Sequence, residues 1–193
     1  MINNDFWERP ASSKAGPRGM ANSIISTILC FTLCMASFHA NSQIKKLDSL
    51  KNLLRSEVPA DSNKVKIYTE IAIGFMHGDY SGFWQDSAKQ YLDKALQISR
   101  EINYKKGLII SLNYLGRVHH NKGLHYQSLE FFNKAILELG NLSWTQMEAD
   151  INLEIGHIYG AMLSQNKSPL MYARAMSHYR MVIAICDNSR NFI

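Results

Sequence analysis

The chain has 193 residues and is 46% hydrophobic, which excludes wholesale disorder and suits one domain with appendages. Its formal charge of +5 arises from Lys and Arg scattered among Asp and Glu, without the clustered basic stripe that a nucleic-acid partner requires. Only 4 prolines punctuate it, so long regular segments are permitted.

Residues 1–19 show neither helical nor strand periodicity and read as an unstructured leader or an over-extended start, with Met20 as the alternative first residue. Residues 20–42 are predicted to be a secretory signal peptide. Lys14 and Arg18 precede the uncharged run SIISTILCFTLCMASF (23–38), and the small polar segment HANSQ follows it. Ala40-Asn41-Ser42 fits a small-x-small cleavage pattern and would make Gln43 the mature N-terminus. Ala36 is the alternative cleavage point. The rival reading is a membrane anchor formed by residues 23–38, although that run is shorter than the ~20 residues of a spanning helix. The chain is therefore expected to be exported, periplasmic or secreted. Two of its 3 cysteines lie in the apolar run, which leaves Cys186 and no expected internal disulfide, so packing alone must hold the mature chain together.

The remainder, residues 43–193, repeats itself. KQYLDKALQIS (89–99), LEFFNKAILEL (129–139) and MSHYRMVIAIC (176–186) each place a large residue three positions before a small one: Leu92 and Ala95, Phe132 and Ala135, Tyr179 and Val182. Upstream of each stands a Leu or Ile followed by Ala or Gly: Ile71-Ala72, Leu115-Gly116 and Ile155-Gly156. Ala95 to Ala135 and Gly116 to Gly156 are both steps of 40 residues. Leu108, Leu112, Leu115 and Val118 recur at helical spacing, as do Leu129, Phe132, Ile136 and Leu139. These patterns predict three helix-turn-helix units over about 64–101, 105–139 and 145–187. Gly123 is expected to stop the first helix of the middle unit in the left-handed region. Asp86 is expected to cap the helix DSAKQYLDKALQISR, and Ser143 with Gln146 to form a capping box.

The unit resembles a tetratricopeptide repeat in a longer, forty-residue form. The middle copy carries the resemblance in Leu115, Gly116, His119, Gly123, Ser128, Phe132 and Ala135, with Gly140 where proline is usual. The first copy departs from it with the insert HGDYSGFW, and the third with SQNKSPLMYAR and Val182 in place of Ala. The resemblance implies an all-α fold, a right-handed α-α superhelix of about three repeats, and a role in binding proteins or peptides. The order of apolar leader, IKKLDSLKNLL, a polar loop and long repeats is also similar to the extracytoplasmic N-terminal sensor region of Bacteroidetes-type two-component regulators. That likeness implies a neighbouring membrane-bound kinase as a partner.

Candidate chemistry is sparse. His119, His120 and His125 fall within seven residues, but adjacent helical positions do not face one another and His125 lies beyond the Gly123 turn, so no ligating pair is expected. His157 and His178 stand apart. There is no GxSxG elbow, P-loop or GxGxxG. No metal, cofactor or catalytic residue is expected; a helical hydrolase or metal-binding protein is the alternative. In a stack of helix pairs the first helix of each pair lines a groove. The candidate peptide-binding residues are Asn113, Arg117, His120, Asp150 and His157, with Lys66, Thr69 and Leu153 on the same face. The final helix is apolar on more than one face through Met176, Tyr179, Met181, Val182, Ile183 and Ile185. It predicts either a longer protein or self-association through this helix.

Overall fold

Asp61 accepts hydrogen bonds from the backbone N–H groups of Asn63 (2.9 Å) and Lys64 (3.0 Å), and so caps a helix where the sequence offers only a polar loop. The Lys64 N–H is the main reason its carboxyl sits below the usual carboxylate range. The structure, a computed structural model, describes residues 45–55, 59–76, 82–140 and 142–190. The expected leader (1–19) and signal peptide (20–42) lie outside the described residues. All regular structure among those described is helical: α1 (45–55), α2 (Ser62–Met76), α3 (Gly82–Glu101), α4 (Lys105–Asn121), α5 (His125–Leu139), α6 (Thr145–Asn166) and α7 (Pro169–Arg190). None of these helices is long and apolar enough to cross a membrane.

The helices from α2 onward pack as hairpins, α2 on α3, α4 on α5 and α6 on α7. The hairpins join through α3 against α4 and α5 against α6, while the first helices α2, α4 and α6 also meet in order. This is a helical repeat-like architecture, and one packing rule recurs through it. A Cβ built on Gly116 would lie 2.8 Å from the Phe132 ring, and one on Gly156 would lie 2.6 Å from the Tyr179 ring. In the first hairpin the equivalent residues, Ala72 and Leu92, are both fully buried in one cluster. Aromatic knobs thus meet glycine, and in the first hairpin alanine and leucine hold the equivalent positions. Around each knob the second helices keep a small buried residue four positions before it: Ala88, Ser128 and Ala175. Ser128 donates from its Oγ to the carbonyl of Gly116 (2.7 Å), which ties α5 to α4.

The core divides into two clusters. One gathers Ile71, Phe75, Leu92, Leu115 and Val118, with Leu47, Leu50 and Leu54 of α1 packed on it. The other gathers Ile109, Leu112, Phe132, Ile151, Ile155 and Ile158. Leu96 and Phe131 touch both. Helix α4 supplies buried residues to each and is the central element.

Two turns are built alike. Gly123 (φ 73°) donates to the His120 carbonyl and Leu124 donates to that of His119, the paired bonds of a left-handed helix stop. Asn103 (φ 53°) and Tyr104 repeat the arrangement on Arg100 and Ser99. Asparagine tolerates the left-handed region better than most residues, which is why this second stop carries no glycine.

Two expected caps are corrected. Helix α3 begins at Gly82, not at Asp86. Asp86 lies inside the helix, exposed, and accepts from Lys122 Nζ of the α4–α5 turn. Helix α6 begins at Thr145 after Trp144, with no side-chain cap, and Gln146 bonds Asp150 (2.9 Å) instead of the backbone at Ser143. The insert in the third unit forms helix: α6 and α7 each run 22 residues, against 17 and 15 for α4 and α5. Lys167 in the left-handed region breaks them (φ 48°), and Pro169 opens α7, where its missing N–H is harmless. On α7, Met181 and Ile183 are exposed, while Val182 and Ile185 are half-buried.

Candidate functional site

The first helices α2, α4 and α6 line an open cavity of about 510 Å³. Repeat spacing explains its lining. Lys66, Ile110 and Asp150 occupy one register position on the three helices; Thr69, Asn113 and Leu153 occupy a second; Glu70, Tyr114 and Glu154 occupy a third. Steps of 44 and 40 residues relate them, the same steps that relate Ala72, Gly116 and Gly156. These positions lie off the apolar stripe of each helix, so stacking turns them together toward one face.

Three of the five candidate residues, Asn113, Arg117 and Asp150, line this cavity, as do Lys66, Thr69 and Leu153. His120 and His157 do not line it. His157 is exposed on α6 with its ring 6.0 Å from that of Tyr179. His120 is half-buried at the end of α4. Sequence reasoning passed over Glu70, Ile73, Tyr114 and Glu154, which the repeat register itself places beside the residues it named.

The electrostatics are mostly settled in pairs. Arg117 Nε lies 3.2 Å from Glu154, bridging α4 to α6, and its guanidinium sits 5.5 Å from the centre of the Tyr114 ring. Glu70 pairs with Lys46 at 3.2 Å. Thr69 commits its hydroxyl to the Val65 carbonyl (2.9 Å). One polar group stands out against this accounting: Asn113 is 5% exposed, and its buried Oδ1 accepts no hydrogen bond. Buried acceptors of this kind are rare, and each costs about 1–3 kcal/mol.

Two of the histidines approach each other across a turn. The Gly123 stop folds α5 back so that His125 returns to α4, and the His120 and His125 rings stand 5.5 Å apart. The sequence carried no expectation of this approach across the turn. Linear spacing misses the pair because a tight turn resets which faces meet. Burial holds the His120 imidazole below its ordinary pKa, and His125 and His157 push the same way while Glu154 opposes. His119 instead packs against Phe131, with ring centres 4.9 Å apart and the planes tilted. Among the described residues no group of three or more His, Cys, Asp or Glu side chains is placed to hold a metal ion.

Comparison of the chain with protein-family models, with curated proteins and with solved structures gives no match.

Proposed function

We propose that the chain is a non-catalytic module of three tetratricopeptide-like repeats that binds an extended peptide segment of a partner protein across α2, α4 and α6. The observation that carries this reading is the cavity lined at matching register positions by all three first helices, with Asn113, whose side-chain oxygen lacks a donor, among its lining residues. A backbone N–H is the donor an extended peptide offers at regular intervals, and the amide of Asn can serve both backbone groups. A volume of about 510 Å³ falls within the range of ligand sites, and its walls mix apolar side chains with polar and charged ones. The resemblance of the middle repeat to the tetratricopeptide pattern points to the same use. The apolar run at 23–38 supports export, so the module would work outside the cytoplasm, and the exported product should begin near Gln43 by mass spectrometry.

The test is selection of peptides from a displayed random library on the full chain, followed by calorimetric titration of the winners against wild type and Asn113→Leu. Leucine nearly conserves volume and removes the lone acceptor. Binding should weaken at least tenfold, while the midpoint of thermal unfolding stays level or rises. Equal binding by wild type and Asn113→Leu would remove the cavity from consideration.

A further inference from the structure

The pairing of charges in the cavity leaves two groups over. Five charged residues line it, and Glu70 and Glu154 are answered by Lys46 and Arg117, each at 3.2 Å. Lys66 and Asp150 remain. Among the described residues neither has an ionic partner, and Asp150 accepts only from the neutral amide of Gln146 (2.9 Å). The two are equivalent positions of the first and third hairpins, with Ile110 at the same position between them on α4. Lys66 on α2 and Asp150 on α6 therefore stand on either side of α4, with the apolar Ile110 between them at the same register position. The Asn113 acceptor sits about one helical turn along from Ile110.

Resting on the peptide-binding reading above, we infer that the groove is charge-polarised. It takes an extended peptide with an acidic side chain against Lys66, apolar residues over Ile110 and a basic side chain against Asp150. Packed helices lie about 8–10 Å apart, so α2 to α6 is roughly 16–20 Å or less across a concave face. An extended chain advances about 3.3–3.6 Å per residue, which sets the acidic and basic side chains about four to six residues apart. Lys46 and Arg117 already neutralise their own carboxylates and so do not add a second demand for charge. A peptide with like charges at both ends would meet repulsion at one wall, while a mixed one is attracted at both.

The experiment repeats the display selection, with ends blocked, on the full chain and on the Lys66→Glu and Asp150→Lys variants. Lys66 is exposed and Asp150 half-buried at the cavity wall, so both variants should fold. Wild type should enrich peptides with one acidic and one basic residue at that spacing, Lys66→Glu peptides with two basic residues, and Asp150→Lys peptides with two acidic residues. By calorimetry, each protein should prefer its own class by about five- to tenfold, a preference that shrinks as salt is raised from 0.15 to 0.5 M. If the wild-type winners bind both variants as tightly as wild type yet are lost in Asn113→Leu, the polarity is wrong and the groove reading survives. If they also bind Asn113→Leu unchanged, the groove reading fails and the polarity falls with it.

Discussion

His119 occupies the slot that an aromatic ring fills in the repeat pattern, and it behaves as one. Its ring packs on Phe131 at 4.9 Å, and both ring nitrogens are buried without a hydrogen-bond partner. Burial is the largest cause of its lowered pKa; Lys89 and Lys122 add to the shift, and Asp93 and Glu130 oppose it. Burial lowers the pKa of His120 and His178 as well. The ordinary value is 6.5, so as pH falls below it the unfolded chain takes up protons that the folded chain refuses. Stability present above pH ~6.5 is therefore lost on acidification toward the folded pKa values. Thermal unfolding should show a lower midpoint at pH 5.5 than at pH 7.5. His119→Phe keeps a ring packed on Phe131 and removes both unbonded nitrogens, so it should raise the midpoint at both pH values and shrink the difference. A difference undiminished in His119→Phe would exclude this residue as a source of the acid sensitivity.

Within the hairpins, the match of knob to hole is the main structural device. Alanine at Gly116 would ordinarily gain about 1 kcal/mol in helix propensity, yet here its Cβ meets the Phe132 ring at 2.8 Å. Overpacking of this kind costs about 1–3 kcal/mol, so Gly116→Ala should lower stability in urea despite the propensity gain. Adding Phe132→Leu recreates the Ala72 and Leu92 combination of the first hairpin, and the double variant should be more stable than the sum of the two single losses predicts. Strict additivity would mean that the glycine is not there for the ring. The third hairpin obeys the same rule through Gly156 and Tyr179 although its helices are longer, which places its insert beyond the knob rather than through it.

Across the stack, stability should be uneven. Helix α4 buries eight residues and feeds both core clusters, whereas Ala175 is the one buried hydrophobic residue on α7 among the described residues. Repeat arrays hold each unit through its neighbours, so a helix packed on one side opens first. Hydrogen exchange should find the amides of α4 protected at least about tenfold more than those of α7, with α5 and α6 between. Equal protection in α4 and α7 would show that the stack opens as a single unit.

Periodicity is a local property, and what depends on it was legible in the sequence. The all-helical class, the hairpin pattern, the repeat positions of Gly116 and Phe132 and the Gly123 stop follow from local spacings and turn chemistry, because burying one stripe of each helix leaves little choice. The cavity-facing positions Asn113, Arg117 and Asp150 follow from the same register. Other features needed distant chain segments to meet. Asp61 took the capping role on α2, Asp86 went to Lys122 inside an already formed helix, and Trp144 preceded α6 without a side-chain cap, since a cap depends on where tertiary packing starts the helix. The approach of His120 to His125 depended on a turn folding one helix back on another. Which charges found partners was decided across helices as well: Arg117 by Glu154 and Glu70 by Lys46. Their sequence separations carry no periodic signal, and only the stacked structure leaves Lys66 and Asp150 without an ionic partner, and the Asn113 side-chain oxygen without a donor, among the described residues.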